Sequence, residues 1–356
     1  MQQPFPVLTH LSITSQFGSI SPLPDGLLGG SAPSLQQLDL CDILYPALPT
    51  LLLSADNLVN LSLRNIPHTG YISPEAMVPL VAAPPKLEIL HIDFIVLPSL
   101  PDIIFSPPLT RSVLPALRNF SFFGGYKYLE DFVSRIHTPQ LNSLVICYSW
   151  GCENDFDVSQ LSNFIDRSES LKRSLSRHFK IMFHEDKDIV TFCIGRTTSD
   201  RWDPIPGISV YFGRGIDRQF PHFTTVVGRF FPILSDVVHC IIDSVRVISE
   251  STSLSEQEND FDWLQLLRRL PSLQTLFVFH NTAGLISQAL AYIDVGMITE
   301  FLPALQLLCL EGQEKAEEDQ PTSSIHRFLA SRQDSGHPVT LVKTKEEFKE
   351  KLKSYS

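Results

Sequence analysis

A chain of 356 residues, 43% hydrophobic, 19% charged and 10% aromatic, has the composition of a folded protein and can bury a sizeable core. Its 39 acidic residues outnumber 28 basic ones, for a formal charge of −11. That balance argues against nucleic acid, whose phosphates demand Lys and Arg, and against an anionic membrane surface. No run of about 18 apolar residues reads as a membrane span, and MQQPFPVLTH lacks the order of a signal peptide. The expected compartment is therefore cytoplasm or nucleus.

In chain order, one phrase recurs: a Pro or small residue, then Leu-x-x-Leu-x-Leu with aliphatic or Phe variants. It occurs at Leu8, Leu11 and Ile13; Leu35, Leu38 and Leu40; Leu58, Leu61 and Leu63; and Leu87, Leu90 and Ile92. It continues at Leu117, Phe120 and Phe122, and at Leu141, Leu144 and Ile146. It returns at Leu273, Leu276 and Val278, and at Leu305, Leu308 and Leu310. The first leucines are 27, 23, 29, 30 and 24 residues apart, and the last pair 32. These intervals lie in or near the range of about 20–29 residues for leucine-rich repeats. The reading is α/β: an irregular leucine-rich-repeat solenoid, with parallel strands on its concave face and helices or loops on its convex face. One such unit cannot bury its apolar edge alone, so neighbours must stack.

Between strands, YLEDFVSRI places Leu129, Phe132, Val133 and Ile136 on one helical stripe, and GLISQALAYI does so with Leu285, Ile286, Ala289, Leu290 and Ile293. SPEAMVPL is a shorter helix candidate from Pro74. Residues 141–273 carry no clean phrase, only weaker strands at 179–183, 189–194, 208–212 and 237–242. At about 25 residues each, that gap has room for roughly five degenerate units. The acidic stretch 249–260 reads as a solvated loop, and 311–324 reads the same way. SIHRFLASRQ is expected as a helix capped by Gly336, followed by a PVTLV strand. Thr344 and Glu347 then form a capping-box pattern before Phe348 and Leu352. The domain reading is thus a solenoid over 1–312, degenerate across 150–260, and a capping segment over 313–356. At the other end the first phrase starts five residues in, without a polar cap. The chain is therefore expected to be the distal part of a longer design, with either a small helical domain missing upstream or a truncated reading frame as the reason.

One rule of regular repeats fails. The position three residues after the last Leu, normally Asn or Cys, holds Gln16, Ile43, Ile66, Ile95, Gly125, Ser149, Asn281 and Gln313. Only Asn281 fits, so the turns must be satisfied otherwise and the solenoid should be uneven.

LVNLSLRNIPHTGYISPEAMV (58–78), the stretch 109–146, FDWLQLLRRLPSLQTLFVFHNTAGLISQALAYI (261–293), LPALQLLCLEG (302–312) and HRFLASRQDSGHPVTLV (326–342) resemble the C-terminal repeat region of the large fungal F-box/leucine-rich-repeat family. The resemblance spans nearly the whole chain and rests on structural motifs. It implies a target-recognition region that an upstream F-box would link to a ubiquitin-ligase adaptor. No F-box is visible in this sequence, so the adaptor is a partner only if one precedes it. The alternative is a stand-alone scaffold with no ligase role.

Chemistry-bearing motifs are sparse. No G-x-S-x-G elbow or P-loop occurs. FGRGIDR has Arg218 where a dinucleotide turn needs its third Gly. His178 and His184, with Glu185 and Asp186, read as a solvated strand end rather than a metal site, and Arg173, Arg177 and Lys180 as a wet face. The six cysteines are scattered. Cys147 and Cys152 are close enough in sequence to pair, though free thiols suit the compartment better. The expectation is a protein with no catalytic residue, metal or cofactor.

That leaves the strand face. Alternate residues should project from it. Early units offer His10, Ser12, Thr14, Gln37, Asp39, Cys41, Asn60, Ser62 and Arg64, and the fourth offers Ile89, His91 and Asp93. Later units turn apolar, with Phe123, Val145, Cys147, Phe277, Phe279 and Leu307. These six are the candidate protein-binding residues. An alternative stays open, in which loops or the C-terminal segment fold over them as a second core.

Overall fold

The computed structural model describes residues 5–15, 22, 27–44, 48–95, 110–148, 157–175, 177–184, 189–195, 207–212, 234–245, 263–279, 281–291, 293, 297, 300–311, 321–344, 346–348 and 350–351. The elements run β1 (His10–Thr14), β2 (Gln37–Cys41), α1 (Leu48–Leu52), β3 (Asn60–Ile66), α2 (Pro74–Ala82), β4 (Ile89–Phe94) and β5 (Ser112–Val113). They continue β6 (Asn119–Gly124), α3 (Tyr126–Ser134), β7 (Ile136–His137), β8 (Ser143–Tyr148), α4 (Ser159–Arg167) and α5 (Glu169–Ser174). Then come β9 (His178–His184), β10 (Ile189–Gly195), β11 (Gly207–Phe212), β12 (His239–Val245) and α6 (Trp263–Leu267). The last are β13 (Thr275–Phe279), α7 (Asn281–Ala291), β14 (Leu307–Glu311), α8 (Pro321–Asp334) and β15 (Thr340–Val342). Two compact units form, residues 1–175 with 198–210 and residues 176–197 with 211–356. Both are mixed α/β, with mostly parallel sheet and helices in the connections.

In the first unit the sheet order is β1-β2-β3-β4-β6-β8-β11. Every pair from β1 to β8 is parallel. β5 and β7 make a separate two-stranded ribbon. The Leu phrases fall in register: Leu38, Leu61, Leu90, Phe120 and Leu144 form one row, and Leu40, Leu63, Ile92, Phe122 and Ile146 the next. All ten are buried. Each such side chain stabilises by about 1.5–3 kcal/mol through lost contact with water.

A backbone device repeats with the phrase. In the first five phrases the residue after the first Leu lends its carbonyl to two N–H groups of the next. The Thr9 carbonyl accepts from Gln36 and Gln37 at 2.8 and 3.0 Å, and Gln36 from Val59 and Asn60 at 2.8 and 2.9 Å. Val59 accepts from Glu88 and Ile89, Glu88 from Arg118 and Asn119, and Arg118 from Asn142 and Ser143. Ahead of each strand, the first Leu donates three residues back: Leu35 to Ala32, Leu58 to Ala55, Leu87 to Pro84, Leu117 to Leu114 and Leu141 to Thr138. The phrase therefore encodes turn, shared carbonyl and strand together.

In two of the turns a polar residue stands one position earlier than the usual Asn. Asp42 and Asn65, two residues after Leu40 and Leu63, adopt left-handed backbone with φ of 58° and 52°. Asp and Asn tolerate that region better than branched residues. The Asn65 amide donates to the Asp42 carboxylate at 3.3 Å, so consecutive turns brace each other.

The helices lie side by side, α1 on α2, α2 on α3 and α3 on α4. Helix α2 starts where expected: the Ser73 hydroxyl accepts from the Ala76 N–H at 3.3 Å, and Pro74 fills the first position. Helix α3 buries Leu129, Phe132 and Val133, while Ile136 belongs to β7. The Glu130 carboxylate on α3 accepts from the Gln160 and Leu161 N–H groups at 2.7 and 3.0 Å. It thereby caps α4 where the helix dipole favours an anion.

In the second unit the order is β10-β9-β12-β13-β14-β15. From β9 through β15 the pairs are parallel, but β10 runs antiparallel to β9. This corrects the expectation of about five degenerate parallel units in the gap. Only four residues, 185–188, join β9 to β10, and a parallel crossover needs a dozen or more. The shared-carbonyl device reappears at Arg177, Val238 and Gln274. It marks 237–242 as a genuine copy of the phrase, with Val237, Cys240 and Ile242 in the leucine places. Helix α7 packs against α6 and α8.

Helix α8 closes as expected. Gly336 has φ of 78°; its N–H bonds the Gln333 carbonyl at 3.0 Å and that of His337 bonds Arg332 at 2.9 Å, the two bonds of a Schellman cap. The Arg332 guanidinium, 1% exposed, reaches the carbonyl of Leu305 at 3.2 Å. It ties the helix to the turn before β14. No helix among the described residues is long and apolar enough to cross a membrane. The acidic loop 249–260, residues 312–320, Cys152, Glu185, Asp186, residues 213–218 and Leu352 lie outside the described residues.

Candidate interaction faces

The rows between the buried leucines supply the face. In the first unit Ser12, Asp39, Ser62, His91, Ser121 and Val145 lie on one line across six strands. Thr14, Cys41 and Arg64 begin a second line. The register shifts between Leu63 and Ile66, and beyond it the line resumes as Asp93, Phe123 and Cys147. Strict alternation in β4 and β6 leaves His91, Asp93 and Phe123 half-buried and Ile89 exposed. Val145 and Cys147 are half-buried too.

The polar end is organised by an ion pair that the sequence did not reveal. Arg64 grips Asp39 with two bonds, Nε to Oδ1 at 3.1 Å and a terminal nitrogen to Oδ2 at 2.6 Å. The Ser12 hydroxyl approaches the same carboxylate at 3.4 Å. The bond to Asp39 raises the Arg64 pKa further, so this charge is permanent. The fork geometry also holds a flexible side chain in one place.

Toward the apolar end the chemistry becomes quieter. Burial, aided by the Arg64 charge, pushes the His91 pKa down and keeps the ring neutral at pH 7. Its ring lies 5.2 Å from that of Phe123. Burial raises the Asp93 carboxyl, while the Asn65 N–H and Arg64 pull it back. The Cys147 thiol is pushed up to about 11, by burial first and the Asp93 charge second. A thiol so protonated is a poor nucleophile. This face can hydrogen-bond, stack and exclude water; it holds no activated group at Cys147.

The later half of the candidate set requires a correction. Phe277, Phe279 and Leu307 are 3%, 7% and 0% exposed. They form a buried cluster with Cys309, Val342 and Phe348, and Ile241 packs against it. The ring of Phe348 sits 4.6 Å from that of Phe277. The segment after β15 covers them, so they are not an open contact surface. The structure therefore brings Phe123, Val145 and Cys147 together on one face, and gathers Phe277, Phe279 and Leu307 in a different core.

Sequence reasoning passed over one more pair. The register sets His178 beside His239 and His239 beside Thr275. The two imidazoles stack with centroids 4.7 Å apart, and His239 Nδ1 is 2.8 Å from the Thr275 hydroxyl. Recognising 237–242 as a full copy of the phrase would have found them. Burial lowers the pKa of both, and a charge on His178 lowers that of His239 further. The neutral pair is the folded form, whereas the unfolded chain takes protons near pH 6.5. The stability of the second unit is then fully present above that value. It should fall as pH drops through 6.5 toward the lower folded values. Urea midpoints measured from pH 7.5 to 5 should show this fall, and His178→Gln with His239→Gln should flatten it. Parallel curves for wild type and variant would reject the histidine origin.

No protein-family model and no curated protein matches the chain.

Proposed function

We propose that the chain is an irregular leucine-rich-repeat solenoid that works as a protein-interaction scaffold, binding through the strand face of its first unit. The carrying observation is a pair of neighbouring lines on one strand face: Asp39, Ser62, His91, Ser121 and Val145 in unbroken register, and beside them Arg64, with Asp93, Phe123 and Cys147 beyond the register shift. It combines a fixed charge pair, neutral donors and acceptors, and a half-buried aromatic. Interfaces favour such centres, in which aromatic and Arg side chains carry most of the energy. The shared-carbonyl device, seen at Thr9, Gln36, Val59, Glu88, Arg118, Arg177, Val238 and Gln274, supports the solenoid reading, because it spaces those successive strands by the same bonds. A partner protein is the fitting occupant: the face is broad and shallow in chemistry, and the −11 charge disfavours nucleic acid.

The narrower reading follows the F-box-family resemblance: the partner is a degradation target, and a ubiquitin-ligase adaptor joins through an upstream F-box. Proximity labelling in cells should compare wild type with Phe123→Ser and Arg64→Glu. Each variant should lose one shared set of proteins by about 30-fold, the equivalent of a hot-spot loss near 2 kcal/mol, with unchanged circular dichroism. Identical capture by all three chains would reject the face. Adaptor subunits labelled alongside the targets would support the ligase reading; targets without adaptor would favour a stand-alone scaffold.

A further inference from the structure

We propose that the strand face of the first unit receives an arginine side chain of its partner protein, seated between the Asp93 carboxylate and the Phe123 ring. This rests on the scaffold reading above and gives the partner a chemistry.

The charges on this face do not balance. Arg64 is committed to Asp39, with bonds of 3.1 and 2.6 Å. Asp42 and Asp93 stand beside that pair, and neither makes an ion pair among the described residues. The Asp42 carboxylate is met by uncharged donors, the Asn65 amide and the Cys41 thiol, both at 3.3 Å. Asp93 accepts from the Asn65 backbone N–H, and the Asp42 charge opposes its own. One guanidinium thus stands against three carboxylates. The next groups along the lines add no cation, because His91 is neutral at pH 7 and Cys147 keeps its proton. Asp93 is also half-buried, and a carboxylate drawn out of water without a cation is costly. A cation brought by a partner offsets that cost, and complementary charge of this kind selects which partner docks. The same three carboxylates repel the phosphates of a nucleic acid.

The ring beside Asp93 favours arginine among cations. The register sets Asp93 directly opposite Phe123 on the adjoining strand, and neighbouring strands lie about 4.8 Å apart. The His91 ring, 5.2 Å from that of Phe123, backs the aromatic side. A guanidinium is planar: its edge forks onto a carboxylate while its face lies on a ring. An ammonium is a compact, strongly hydrated charge with no plane to offer.

The probe is a displayed library of random dodecapeptides, selected on the full chain. Selected peptides should be rich in arginine. Made synthetically, they should bind Asp93→Asn and Phe123→Ser about tenfold more weakly than wild type. Glu75→Gln, which removes an exposed charge on α2, should bind them as wild type does. Asp93→Lys should prefer the same peptides with glutamate in place of arginine. Within the peptides, citrulline, the uncharged isostere of arginine, should cost about tenfold on the wild-type chain, and lysine should bind more weakly than arginine.

Peptides that need Phe123 but ignore both Asp93→Asn and citrulline overturn the arginine seat and leave the interaction face standing. Lysine peptides as tight as arginine peptides overturn the fork-and-stack geometry. Failure to select any peptide, or peptides indifferent to Phe123→Ser, also overturns the seat, and the face is then judged by proximity labelling alone. Should a variant chain fail to fold, the citrulline comparison on wild type decides: no loss of binding overturns the proposal.

Discussion

Phe120→Ala should lower the stability of the first unit by about 3–5 kcal/mol in chemical denaturation, whereas Arg64→Ala should cost no more than about 1 kcal/mol. The two residues lie on opposite faces of one sheet. Phe120 is fully buried, its ring 5.5 Å from Phe132 of α3. Truncation removes the ring and leaves a cavity that the flanking Leu90 and Leu144 cannot fill, since the ladder fixes their positions. The Arg64 side chain is 45% exposed, so water compensates most of what is lost with the Asp39 bond. A strand slipped by one residue would exchange its faces. Comparable losses at both sites, or the reverse order, would therefore refute the register on which the binding face depends.

Much of this was legible because the phrase couples two periodicities. Leu-x-x-Leu-x-Leu at intervals near 25 residues states both which side chains turn inward and how the chain returns. Rows as distant as Leu38 and Leu144 could be aligned from sequence alone. Helices α2 and α3, the Gly336 cap and the Thr344–Glu347 box were readable for a local reason: each depends on residues within one turn of one another.

What escaped was decided by contacts distant in sequence. The apolar residues Phe277, Phe279 and Leu307 obey the strand alternation as well as Phe123 and Val145 do. Phe348, about 70 residues after Phe277, joins one group in a core, while the other stays half-buried on its line. The Arg64–Asp39 pair was hidden similarly, since both residues were named as face positions but a 25-residue separation carries no signal of a salt bridge. The β9–β10 hairpin had a signal that went unused: a four-residue link cannot carry a parallel crossover. The turn residues Asp42 and Asn65 were missed because the template looks one position later.

Glu88→Pro is expected to destabilise the first unit on the order of 3 kcal/mol, as proline does inside other hydrogen-bonded elements. Glu88→Ala should change stability by less than about 1 kcal/mol, because the Glu88 carboxylate meets Arg118 at only 3.8 Å and 45% exposed. The difference isolates the backbone. The Glu88 N–H donates at 2.8 Å to the Val59 carbonyl, and the Glu88 carbonyl receives Arg118 and Asn119 at 2.8 and 3.0 Å. Proline removes the donated bond and places its ring against the neighbouring strand. The received pair then has to be held by a carbonyl whose own residue is no longer anchored. The same substitution at Gln274, which donates to Val238 and receives Gln306 and Leu307, should produce a matching loss in the second unit. Matching losses at two sites 186 residues apart, read as urea midpoints with unchanged slopes, would mean that one backbone device spaces the strands in both units. A chain that tolerates Glu88→Pro would mean that side-chain packing alone sets the spacing and that the shared carbonyls merely follow it.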